Sequence, residues 1–324
     1  MRADSAMGVR VGNAAEKCGV HSQEYSPEMT IRNTIREGAA RLQAGGIEDA
    51  ALDARLLMLQ TLDTDTAGLL FRQNDAIGAE QLRIYNRLLE RRAGHEPLQY
   101  IAGFTEFMGL HFEVNESVLI PRQDTETLCE RVLAETAGRS GLRLLDMCTG
   151  SGCIAIALAK LGAERFSYVC AADISERAVK TAVKNAALNQ VNIDFYISDL
   201  FSGLPAVSDS KSCTKATEDA GAAFDIIVSN PPYIRTGDIE GLEPEVRAHE
   251  PVGALDGGED GLVFYRRIAA SAGHFLKPGG RLFLEIGYDE AEAVSEILSS
   301  VGYNDIRTEA DPGGNDRVVY AVHP

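Results

Sequence analysis

The sequence predicts an α/β protein: a Rossmann-like, seven-stranded domain with a largely parallel sheet, preceded by a small N-terminal helical domain and a β-hairpin linker. Three observations carry this. After Pro121, apolar strand-like runs alternate with helical periodicity, the pattern of βαβ units with right-handed crossovers. Strand signals are missing before residue 104. A glycine-rich turn at 147–153 joins the first strand pattern to the first helix pattern of the α/β part.

Residues 1–28 lack the apolar segment of a secretory signal, and their acids argue against a transit peptide, so a disordered extension is expected there. Over 29–104, Ile31, Ile35 and Leu42 share a helix face and Gly45-Gly46 supplies a stop. Further helical runs hold Leu52, Leu56, Leu57 and Leu59, then Leu82, Ile84, Tyr85, Leu88 and Leu89. Within 105–120, Leu110, Phe112 and Val114 alternate with His111 and Glu113. A turn-like Asn115-Glu116-Ser117 follows, then Val118-Leu119-Ile120, which predicts the hairpin. The domain at 121–324 has candidate strands at 142–147, 168–172, 193–198, 225–229, 281–286, 305–308 and 318–322. Candidate helices fall at 153–161, 176–188, 262–276 and 290–301. The polar, aperiodic stretch 207–223 is expected to be a flexible surface insertion.

The chain has 324 residues and a formal net charge of −17, which disfavours a protein that coats a nucleic-acid duplex and leaves no direct nucleic-acid partner expected. No apolar run approaches the ~18 residues of a membrane helix, so no membrane partner is expected. The six cysteines are scattered without a CxxC pair, which argues against disulfides and zinc and for a cytoplasmic location. The six histidines show no metal spacing, and no metal is expected.

Cys148-Thr149-Gly150-Ser151-Gly152 ends a strand and opens a helix, letting backbone approach a ligand closely. With Ala155 and Asp173 it also fits the loose dinucleotide fingerprint, so alone it points only to a nucleotide-type ligand or a tight turn. Asp173, at one strand end, has the chemistry to accept from two ribose hydroxyls. Asp199, followed by Leu200 at the next strand end, has the chemistry to accept from an adenine amino group. A lone aspartate there is usually a cap or turn former. Two on successive strands favour an adenosine ligand. Asp146 is expected to hold the loop or face a cationic ligand end.

Asn230-Pro231-Pro232-Tyr233 follows another apolar strand. Its two prolines fix two φ angles and remove two N–H donors, which presents the Asn230 side chain and the Pro231 carbonyl as rigid acceptors. Such a pair grips both hydrogens of a planar –NH2 group and frees the nitrogen lone pair for an electrophile, while Tyr233 packs over the group. The plain structural reading is a strand cap. If this strand neighbours the glycine-loop strand, both motifs face one crevice at a switch point, and S-adenosylmethionine-dependent N-methylation follows.

At this point the chain resembles the peptide chain release factor N5-glutamine methyltransferases, from Met29 onward. The resemblance is carried by His95-Glu96-Pro97-Leu98-Gln99-Tyr100-Ile101-Ala102-Gly103 and by Leu119-Ile120-Pro121-Arg122-Gln123-Asp124-Thr125-Glu126. Asp146 to Gly152, Asn230 to Tyr233 and the loop Asp311-Pro312-Gly313-Gly314-Asn315-Asp316-Arg317 complete it. Gln123 stands where the family usually has proline, Cys148 where glycine is common, and Leu200 where an aromatic residue is common. The resemblance implies a seven-stranded S-adenosylmethionine-dependent methyltransferase domain, with a helical domain that helps dock the protein substrate. It implies cofactor binding by Cys148, Thr149, Gly150, Ser151, Gly152, Asp173, Asp199, Leu200 and Asn230. Asn230, Pro231, Pro232 and Tyr233 would bind the glutamine of the Gly-Gly-Gln motif in a class 1 release factor, with Asn230, Pro231 and Tyr233 in the catalytic role.

The alternatives are an N-methyltransferase acting on a ribosomal protein glutamine or on an exocyclic amine of DNA or RNA, a nicotinamide oxidoreductase, and a binding module without activity. An oxidoreductase leaves the Pro-Pro motif without explanation, and a binding module leaves two intact ligand-facing motifs without a task. Arg122 is expected either at the protein substrate or paired with an acid, and Glu243, Glu245, Glu250 and Asp256 in a solvated acidic loop.

Overall fold

The computed structural model describes residues 29–162, 164–205 and 224–324. The expected extension 1–28 and insertion 207–223 therefore lie outside the described residues. The first unit is helical: α1 (Ile31–Ala44), α2 (Ala50–Leu62), α3 (Thr66–Arg72), α4 (Ala79–Ala93) and α5 (Leu98–Ala102). Thr30 caps α1 by accepting from the Asn33 amide, and Gly45 ends it. The apolar faces meet in one cluster around Ile31, Leu42, Leu57, Met58, Tyr85 and Leu89. Tyr85 is fully buried there, and its hydroxyl donates to the Ala54 carbonyl at 3.0 Å.

The linker hairpin is shorter than expected and turns elsewhere. Strands β1 (Phe104–Phe107) and β2 (Leu110–Glu113) pair antiparallel across Met108-Gly109. Both turn residues have positive φ, +52° and +72°, which matches the twist of a two-residue hairpin even though methionine rarely adopts it. The Asn115–Ser117 turn exists, with Ser117 N donating to Asn115 Oδ1 at 3.0 Å, but it closes no hairpin. Val118 and Ile120 are buried with Tyr100 and Ala178 instead of forming a strand.

The remainder is a three-layer α/β/α domain. Its elements are α6 (Asp124–Glu135), β3 (Leu142–Met147), α7 (Cys153–Leu161), β4 (Phe166–Asp173), α8 (Glu176–Leu188), β5 (Asp194–Ile197) and β6 (Phe224–Ser229). Then come α9 (Pro244–His249), α10 (Val263–Ala272), β7 (Leu276–Glu285), α11 (Ala291–Ser300), β8 (Asn304–Ala310) and β9 (Asp316–Val322). The sheet order is β5-β4-β3-β6-β7-β9-β8, with β9 antiparallel to both neighbours. Its central strands are apolar on both faces because helices cover both. Leu144, Ile226, Val228 and Phe283 pack towards α6 and α7, while Leu145, Ile227, Leu282 and Leu284 pack towards α10 and α11.

The helix expected at 262–276 stops at Ala272, because Leu276 already pairs with Phe224 as the start of β7. Helices α6 and α9 were not anticipated. α6 buries Leu128, Cys129 and Val132 under the sheet, although its first turn is acidic. β3 and β6 are parallel neighbours, so the order reverses between them. That reversal opens a crevice at the strand carboxyl ends.

Candidate active site

A cavity of about 500 Å³ sits at this crevice, within the size range of small-molecule sites. Cys148, Thr149, Gly150, Ser151, Asp173, Asp199, Leu200, Asn230 and Pro232 all line it, so both motifs face one space. Gly152, Pro231 and Tyr233 do not line it.

The glycine loop is held from below. Asp146, at the end of β3, is fully buried; its Oδ2 accepts from Thr149 Oγ1 at 2.5 Å and from the Ala155 amide at 3.2 Å. Burial pushes this carboxyl up to about 7. Cys148 takes φ +62°, which accounts physically for a glycine preference at this position. Gly152 caps α7 at φ +83°, and a Cβ there would lie 3.0 Å from both Ala182 Cβ and Ile156 Cδ1. It serves the close packing of helix on loop, whereas a Cβ on Gly150 would meet no protein atom within 4 Å.

The strand-end acids are both engaged. Asp173 accepts from the Gly150 and Ser175 amides, each at 2.8 Å, and burial raises its pKa. Asp199 takes Arg267 Nη2 on both oxygens, at 2.8 and 2.9 Å. Arg267 and Phe264, both from α10, line the cavity, and the guanidinium lies 5.9 Å from the Phe264 ring centre. No sequence signal pointed to either residue.

On the opposite wall, Asn230 Nδ2 donates to Thr125 Oγ1 of α6 at 3.3 Å. Thr125 and Arg122 line the cavity, together with Pro251 and Gly253. Arg122 pairs with Glu250 at 2.6 Å, as one of its two readings expects, while still lining the cavity. The acidic loop is solvated only in part, since Glu243 is exposed as expected whereas Glu245 and Glu250 are drawn into ion pairs. Glu250 is buried, Glu245 reaches Arg92 of the helical unit at 2.5 Å, and Asp256 accepts from Thr236 Oγ1 and Gly258 N. Arg92 also binds buried Asp53 at 2.6 Å, so one guanidinium joins the helical unit to α9. Behind Asn230, Glu285 closes β7 with its carboxyl pushed up to about 7 by burial. Burial also raises the Tyr233 phenol. Among the described residues no cluster of His, Cys, Asp and Glu is arranged to hold a metal, and no helix is long and apolar enough to cross a membrane.

A glycine loop and an Asn-Pro-Pro corner on adjacent strand ends of such a sheet define an enzyme of the methyltransferase class. The chain matches the family model described as PrmC N-terminal domain over residues 33–103, and that of the ribosomal protein L11 methyltransferase over residues 122–233. The release factor glutamine methyltransferase of Geobacter sulfurreducens is 41% identical over 294 residues, 90% of this chain and 97% of that one. The enzyme of the same name from Thermodesulfovibrio yellowstonii is 42% identical over 77% of this chain and 85% of its own. A methyltransferase of known structure from Pyrococcus furiosus aligns at 19% identity with a TM-score of 0.44, over 66% of this chain and 89% of that one. The chain belongs to the release factor glutamine methyltransferase family.

Proposed function

We propose that this enzyme transfers a methyl group from S-adenosylmethionine to the side-chain nitrogen of the glutamine in the Gly-Gly-Gln motif of a class 1 release factor. The observation that carries the reading is the meeting of Cys148 to Ser151, Asp173 and Asp199 with Asn230 in one cavity. The residues present fit the cofactor. Open space above Gly150 admits a ligand against the backbone. Asp173 keeps lone pairs for ribose hydroxyls beyond its two backbone bonds, and Asp199, held by Arg267, accepts from the adenine amino group. Phe264 offers an aromatic face in the cavity where Leu200 has none.

When bound, S-adenosylmethionine supplies an electrophilic sulfonium methyl. The Asn230 carboxamide oxygen, in the cavity lining, accepts one N–H hydrogen of the glutamine amide; the Pro231 carbonyl is assigned the other and Tyr233 the support of that corner, both from residues beside the lining. This grip turns the nitrogen lone pair towards the methyl group, an interaction stronger in the transition state than in the ground state. A glutamine nitrogen held this way would take the methyl that the sulfonium supplies and then release its proton to water. Alignment of this kind supplies ~7–11 kcal/mol in favourable cases.

The relatives' names support a release factor as the substrate, and the tie of the helical unit to α9 through Arg92 supports its reading as the docking domain at 29–104. The test is methyl transfer from labelled S-adenosylmethionine to a purified class 1 release factor, with the peptide mapped by mass spectrometry. One methyl on the Gly-Gly-Gln glutamine, absent when that glutamine is replaced by alanine, is expected. Transfer only to a ribosomal protein or to nucleic acid overturns the substrate assignment. Asn230→Ala is expected to lower kcat by about 10²–10³, by analogy with loss of one preorganised transition-state partner. Near-full turnover in that variant removes the acceptor role.

A further inference from the structure

The mechanism asks one thing of Asn230 that its own corner does not guarantee: the amide oxygen, not the amide nitrogen, must face the substrate. The two ends of an asparagine side chain are nearly the same size, and one is an acceptor while the other is a double donor. The flipped amide presents a donor to a donor and does not grip an –NH2 group. The prolines fix the backbone, but they leave this rotation free.

Thr125 does not decide the matter alone. Its hydroxyl accepts from Nδ2, as observed at 3.3 Å, and it would equally donate to Oδ1 of a flipped amide. The deciding group is Glu285. Its side chain faces both Thr125 and Asn230, each of which stabilises the charged form against burial. The residue is only 1% exposed, and its Oε2 has no hydrogen-bond partner in the protein. An ionised carboxylate only accepts, so it attracts the N–H end of the Asn230 amide, takes the Thr125 hydroxyl proton in a hydrogen bond, and repels the carbonyl end.

A purely structural role leaves this placement unexplained. Arg317, whose charge also acts on Glu285, directs its hydrogen bonds to Asp311 and the Ile286 carbonyl and pairs with Asp124. A buried carboxylate without a salt-bridge partner is costly to ionise unless hydrogen-bond donors face it, and Thr125 and Asn230 are the donors here. We infer that Glu285 is a positioning residue that, together with Thr125, holds the Asn230 amide with its oxygen towards the substrate nitrogen. This rests on the reading of Asn230 as an acceptor for the glutamine amide.

The test is a double-mutant cycle on the full chain, with release factor as substrate at pH 8. Glu285→Gln keeps the shape but offers a donor as well as an acceptor, so the amide loses its bias. The expected result is a kcat lower by about ten- to a hundredfold, the range for losing a hydrogen bond to a charged group. KM for the release factor and the affinity for S-adenosylhomocysteine stay within about twofold. In an Asn230→Ala background the same change has no further effect, because it acts through Asn230. Unchanged kcat in Glu285→Gln, or an equal loss in both backgrounds, overturns the inference while leaving the acceptor role intact. Full activity in Asn230→Ala alone overturns the acceptor role, and the inference with it. Should Glu285→Gln not fold, Thr125→Val carries the test: a comparable fall in kcat with recovery in Thr125→Ser supports the relay, and full activity in Thr125→Val overturns it.

Discussion

The glycine-loop wall of the cavity and the Asn230 wall face the same space but are assembled over different distances along the chain. On the first, Asp146 reaches three residues to Thr149 and nine to Ala155 and Asp173 reaches 23 back to Gly150, with Asp199 on Arg267, 68 residues apart, as its long-range addition. On the second, Asn230 bonds to Thr125 across 105 residues and Arg122 to Glu250 across 128. A wall made from local contacts is set once its strand and helix form. A wall made from distant contacts depends on the whole domain docking correctly, and on the joint to the helical unit. Damage far from the cavity should therefore reach the second wall before the first.

The largest expected effect tests that joint. Arg92→Ala leaves Asp53 buried without its partner and cuts the tie to Glu245, which should cost about 3–5 kcal/mol of stability in urea titrations. A loss well under 1 kcal/mol would mean that the helical unit is held by its apolar contacts instead.

The next concerns the local wall and pH. Asp146 is raised to about 7 in the folded chain, against roughly 4 unfolded. Between those values the folded state keeps a proton that the unfolded state has released, so this group lowers stability as pH rises from about 4 to 7. Asp146→Asn keeps an acceptor for Thr149 and Ala155 and removes the titration. Relative to wild type, the variant should gain about 3 kcal/mol between pH 4.5 and 7.5. Parallel curves for the two proteins would mean that the carboxyl titrates normally.

Smallest is Gly152→Ala, which puts a side chain at φ +83° and against Ala182 and Ile156. A loss of about 1–3 kcal/mol is expected, with weaker binding of S-adenosylhomocysteine by calorimetry. Unaltered stability would mean that the contact with Ala182 and Ile156 relaxes to admit the methyl group.

The same contrast governs what the sequence discloses. The glycine loop, the strand-end aspartates and the Asn-Pro-Pro-Tyr corner are legible because each is a short run whose backbone needs are written in adjacent residues. The bond between Asn230 and Thr125, the pairs at Arg122 and Arg92, and the placing of Arg267 on Asp199 follow from docking, which no local pattern encodes. Glu245 and Glu250 look solvated for that reason: their cations, Arg92 and Arg122, lie far away in the chain. The hairpin turn was misplaced because Met108 occupies a left-handed position that composition assigns to Asn or Gly. Helix α6 carries a start signal of its own, Asp124 and Glu126 in its first turn, and Thr125 between them lines the cavity.

The pairing of β6 with β7 runs Phe224 to Leu276 and then jumps to Ile226 opposite Arg281. Three extra residues are taken up around Pro278 and Gly279, at the end of the strand remote from Glu285, and regular pairing holds from Arg281 to Leu284. The irregularity works as an expansion joint. A change of length taken up there leaves the register of the reactive end untouched, so one strand carries both a yielding stretch and a fixed one.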